Sequence, residues 1–82
     1  MDKAEMIRAL LAQAEGHVAQ GEIHLIQQRE IIIKLDAHGC DSKPARELLM
    51  RFIELQALHV ADRDRLRAEL EQLTDSARPI TG

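Results

Sequence analysis

The stretch GHVAQGEIHL, residues 16–25, carries His17 and His24 seven positions apart, and His38 follows fourteen residues later. Imidazole can ligate a metal, move a proton, or lie as a polar spacer beside a packed seam. Spacing discriminates among these roles. Seven residues of helix rise about 10.5 Å, so one ion cannot bridge His17 and His24. Histidine pairs that chelate from a single helix stand three or four residues apart, and the Glu-x-x-His pattern of bundle metal sites does not occur here. The heptad spacing points instead to two separate layers of a helical bundle, each with a histidine beside the core.

A second candidate is HVADRDRLRAEL, beginning at His59. Asp62 lies one turn from His59 and could orient its ring, the arrangement of a general base. A nucleophile is lacking: Ser42, Ser76 and Cys40 fall near a turn or a tail, and a rod of two helices has no obvious cleft. The reading is therefore non-enzymatic, with no cofactor. Arg63, Arg65 and Arg67 alternate with Asp62, Asp64, Glu69 and Glu71, the pattern of a solvated face laced with ion pairs. Nucleic-acid binding would want a basic stripe or stacking aromatics, and Phe52 is the one aromatic residue. Cys40 reads as a small apolar residue folding over a helix end, with a redox or bridging thiol as the alternative.

The elements that must position these groups are legible in the composition. Eighty-two residues allow one domain. Abundant Ala, Leu, Glu, Gln and Arg favour helix over strand. The net charge of −3 gives no electrostatic pull toward nucleic acid or anionic lipid. No run approaches the roughly 18 apolar residues of a membrane span, and the acidic start lacks the features of a signal peptide. With a single cysteine, these features fit a cytoplasmic protein.

Ile7, Leu11, Ala14, Val18, Gly21, Leu25, Gln28, Ile32 and Leu35 recur at alternating intervals of four and three, which is a heptad seam. Asp2 and Glu5 form a capping box ahead of it. The helix should stop at HGCDSKP: Gly39 can adopt the left-handed conformation, Asp41 or Ser42 can cap the next helix, and Pro44 fits a first turn. In the second helix Ala45, Phe52, His59, Leu66 and Leu73 stand seven apart, flanked by Leu48, Leu49, Leu55 and Leu70. The predicted organisation is one all-α antiparallel two-helix hairpin: helix about 3–37, turn 38–43, helix about 44–74 and frayed tail 75–82. With the turn centred near residue 40, Gly21 faces His59, Ala14 faces Leu66, and Ile7 faces Leu73.

In that register His59 sits on the seam where Gly21 leaves room for its ring. His24 lies opposite Gln56, and Gln28 is one turn further on. These side chains read as polar layers that hydrogen-bond across the bundle and set its register, partly buried beside the core. The alternative is a metal or small-ligand site built on His24 and His59, completed by a second subunit.

The apolar stripe widens toward the turn. Residues 23–35 and 48–60 carry more isoleucine and leucine than one seam can cover, since each helical step turns about 100°. The expectation is self-association of two hairpins into a four-helix bundle through their turn-end halves, with Ile23, Ile26, Ile33, Phe52, Ile53 and Val60 at the dimer interface. A foreign helical protein could occupy the same surface.

The segments HVAQGEIH, HGCDS and LLMRFIELQALHVADRDRL resemble those of a group of short, uncharacterised bacterial helical-hairpin proteins, over most of residues 9–70. The resemblance implies a helical hairpin and no particular activity. The function expected from the sequence is a homo-oligomeric scaffold or protein-interaction module.

Overall fold

The computed structural model describes residues 2–76, which form two helices, α1 (Lys3–Ala37) and α2 (Lys43–Ser76). No strand occurs among the described residues. Of the expected tail, residues 77–82 lie outside the described residues, and Asp75 and Ser76 are helical. Asp2 opens α1 in extended conformation, and its Oδ1 accepts the Glu5 amide at 2.7 Å. That satisfies one of the amides a helix start leaves without a partner.

The turn is a Schellman closure. Gly39 has φ +68°, the Cys40 amide donates to the Leu35 carbonyl at 2.9 Å, and the Gly39 amide donates to Asp36 at 3.1 Å. His38 adds its own cap, with Nδ1 2.7 Å from the Lys34 carbonyl oxygen. Cys40 is exposed rather than folded against the last turn. In this closure the backbone bonds do the sealing, so no apolar cover from Cys40 is required. Asp41 and Ser42 both serve the start of α2. Asp41 Oδ1 accepts the Lys43 amide, and the Ser42 carbonyl accepts from Arg46 N. Ser42 is buried, and Arg46 Nε donates to its Oγ at 3.1 Å. Arg46 also pairs with Asp36 at 2.5 Å. The Ser42 hydroxyl foremost, then Arg46, hold the Asp36 carboxyl below its ordinary range. One charged cluster thus ties the end of α1 to the start of α2.

The helices run antiparallel. Near the turn Gln28 reaches Ala45, and further out Gln56 reaches Val18. All nine seam positions of α1, from Ile7 to Leu35, are buried or half-buried. Beyond the turn the covered positions include Ser42, just before α2, and on α2 Ala45, Leu49, Phe52, Gln56, His59, Arg63, Leu66, Leu70 and Leu73. Leu48 and Leu55 are exposed; Gln56 and Arg63 take seam positions that the apolar pattern alone did not assign.

The molecule measures 69 × 25 × 14 Å, so it is one helix thick. A single layer covers each helix on one side only, and no large side chain among the described residues is fully buried. A buried apolar cluster lies at the open end, where Ile7, Ala14 and Leu66 have Leu11, Leu70 and Leu73 packed around them, and Val18 and Ile32 are buried further along the seam. In the turn-end half the seam is small or polar at Gly21, Gln28, Ser42, Ala45 and Gln56. Leu25, Ile32, Leu35, Leu49 and Phe52 fill the rest of that seam, and the remaining large apolar side chains of that half point outward. Nine of the eleven left exposed among the described residues fall between Ile23 and Leu58, with Leu58 at 68% and Ile33 at 66%.

Candidate functional site

The histidines occupy the row next to the seam. Leu10, His17, His24 and Ile31 stand seven apart on α1, and Leu48, Leu55, Asp62 and Glu69 stand seven apart on α2. Both rows border the same side of the hairpin. One cavity brings His17 and His24 beside Leu55, the next brings Leu10 and His17 beside Asp62, and a third places Lys3 beside Glu69. This flank changes character along its length, from leucine near the turn to carboxylates toward the open end.

The first of these cavities, about 210 Å³, is the best-formed concavity on the flank. From α1 it is lined by His17, Gln20, Gly21 and His24, and from α2 by Phe52, Leu55, Gln56 and His59. Its floor depends on Gly21. A Cβ there would lie 1.8 Å from Gln56 Oε1, so only glycine leaves room for that amide. Gln56 Nε2 donates to the Val18 carbonyl at 2.8 Å, and Gln28 Nε2 donates to the Ala45 carbonyl at 2.9 Å. Each helix therefore sends one glutamine to the other's backbone. Gln56 Oε1 is buried with no hydrogen-bond partner, a feature that carries a desolvation cost of about 1–3 kcal/mol in comparable settings.

These contacts revise the expected register at one level. Ala14 and Leu66 share the open-end core, and Ile7 and Leu73 pack into the same cluster. Gly21, however, faces Gln56, not His59. Of the expected polar layers, Gln28 and Gln56 do bond across the hairpin, to backbone carbonyls. His24 instead approaches Gln20 of its own helix, 3.4 Å between Nε2 atoms, and lies against Phe52 with ring centres 5.9 Å apart. His59 is half-buried and meets His17, with ring centres 5.2 Å apart. His17 and His24 are exposed, contrary to the expected partial burial, because a single helical layer cannot cover the row beside its seam, and His38 is exposed at the end of α1. His24 and His59 thus line one groove, while the histidine across from His59 is His17. No spacing within one helix signals that pairing, which depends on the register between the two helices.

Among the residues expected at a dimer interface, Ile23, Ile26, Ile33 and Ile53 are exposed, whereas Phe52 and Val60 are half-buried. Phe52 is engaged within the chain by His24. Toward the open end, Arg65 bridges Asp62 at 2.6 Å and Glu69 at 3.0 Å, and Arg63 pairs with Asp64. With Arg46 on Asp36, three of the six basic residues of α2 are matched with carboxylates. Among the described residues, no three His, Cys, Asp or Glu side chains converge as a metal site, and no helix is long and apolar enough to cross a membrane. No protein-family model, curated protein or solved structure matches the chain.

Proposed function

We propose that this protein is a homo-oligomeric helical scaffold or protein-interaction module, working without catalysis in the cytoplasm, whose turn-end half packs against a second copy to make a four-helix bundle. The observation that carries this reading is the excess of large apolar side chains near the turn. Between Gly21 and Gln56 the intrachain seam takes only Leu25, Ile32, Leu35, Leu49 and Phe52 and is otherwise small or polar, while Ile23, Ile26, Ile31, Ile33, Leu48, Met50, Ile53, Leu55 and Leu58 face outward. Soluble monomers rarely leave so much contiguous apolar surface open.

Area supports a second copy as the occupant. The chain exposes 6286 Å². A compact monomer of its 9.3 kDa mass would expose about 5,000 Å² by size scaling. Burying the difference from each of two copies would hide about 2,600 Å², within the range of roughly 2,000–5,000 Å² for obligate homodimers.

The test compares glutamate substitutions by sedimentation. Ile33→Glu and Ile53→Glu should weaken dimerisation far more than Ala12→Glu and Arg67→Glu. Ala12 lies in the same helical row as Ile33, and Arg67 in the same row as Ile53, so each comparison varies position along the hairpin and not side. Equal effects at both ends would refute the proposed interface.

A further inference from the structure

We propose that His17 and His59 form a two-imidazole chelate for a divalent transition-metal ion of the zinc class. The rings come from opposite helices, with centres 5.2 Å apart and planes tilted by 45°. Two imidazoles that bind one ion tetrahedrally at about 2.0–2.1 Å, with roughly 1.1 Å from ring nitrogen to ring centre, hold their centres about 5 Å apart. The observed separation is close to that value.

The next level of the same flank supplies a built-in control. Seven residues toward the turn on each helix, the corresponding pair is His24 and Phe52, with ring centres 5.9 Å apart. Phe52 offers no donor atom, so that level presents one imidazole and cannot chelate. The groove opens between the two levels and gives an ion access from solvent.

The coordination is open. Asp62 lines the neighbouring cavity with His17, but Arg65 holds it at 2.6 Å. Two imidazoles are then the protein's ligands, one fewer than the three that hold zinc at sites with an exchangeable position, and water completes the shell. Imidazole donors suit zinc, copper and nickel over magnesium or calcium. Binding requires both rings to be unprotonated, so it weakens as pH falls. Both ligands belong to one chain, and the site is independent of the proposed dimer.

The test titrates zinc chloride into the full chain while ring-proton NMR follows its four histidines. The expected result is a saturable change in the His17 and His59 resonances together, at one ion per chain, with a thermal midpoint that rises with zinc and returns on adding EDTA. His17→Gln and His59→Gln should each abolish the response, and His24→Gln should leave it intact. His17 is exposed, so His17→Gln carries the test if the seam variant His59→Gln folds poorly. No saturable response at millimolar zinc, a response that survives in His17→Gln, or one lost equally in His24→Gln would each overturn the proposal.

Discussion

Replacing Gly21 by alanine sets two effects of opposite sign against each other. Alanine in a helix interior is favoured over glycine by about 1 kcal/mol. The new Cβ would lie 1.8 Å from Gln56 Oε1 and 2.7 Å from its Cδ, so the amide must leave its seat. Leaving breaks the 2.8 Å bond to the Val18 carbonyl, worth about 1 kcal/mol net. Repacking a displaced side chain at a close helix contact costs about another 1–2 kcal/mol. The sum is a destabilisation of about 1–2 kcal/mol for Gly21→Ala. In a Gln56→Ala background the conflict is gone, and the same substitution should stabilise by about 1 kcal/mol. The cycle then yields a coupling of about 2–3 kcal/mol, well above the scatter for independent sites. Urea unfolding followed by far-ultraviolet circular dichroism measures it, since the chain has no tryptophan or tyrosine for fluorescence. All four variants must be compared at one protein concentration. If Gly21→Ala stabilises equally in both backgrounds, Gln56 does not occupy the space above Gly21, and the register derived from that contact is wrong.

The turn gives two further tests. Gly39 has positive φ with open space around its missing Cβ, so Gly39→Val should cost about 1–2 kcal/mol through backbone conformation alone. Gly39→Asn should cost less, because asparagine tolerates that region; equal losses in urea unfolding would point to a steric cause. Asp36 has a folded pKa below its ordinary 3.8. The unfolded chain therefore takes up its proton first on acidification. Its stabilising contribution is complete above 3.8 and is lost as pH falls through the lower folded value. Asp36→Asn should remove that part of the acid sensitivity, and unchanged acid unfolding would show that the Ser42 and Arg46 contacts do not matter energetically.

The seam of α1 was legible because apolar and small residues keep their phase from Ile7 to Leu35, and even Gln28 could be placed on it by interval. The seam of α2 was only half legible. Ala45, Phe52, His59, Leu66 and Leu73 are all covered, but Leu48 and Leu55 had a stronger apolar claim than Gln56 and Arg63. Residue type misled where interval did not. A glutamine that donates to a facing carbonyl, above a glycine, satisfies a buried position that hydrophobicity would assign to leucine. That local packing also altered the partner of Gly21. The Schellman turn was readable from His38-Gly39 with Pro44 beyond, whereas the Ser42–Arg46–Asp36 cluster arises only once the two helix ends meet. The pairing of His17 with His59 needed the register, which no single-helix pattern contains.

Sedimentation equilibrium of the unmodified chain over a wide concentration range, with EDTA present, tests the central claim most directly. Self-association through the turn-end half predicts a mass twice the 9.3 kDa of the chain, persisting on dilution into the low micromolar range. A mass of 9.3 kDa across the whole range would contradict it, and would mean that the outward-facing isoleucines and leucines are not covered by a second copy.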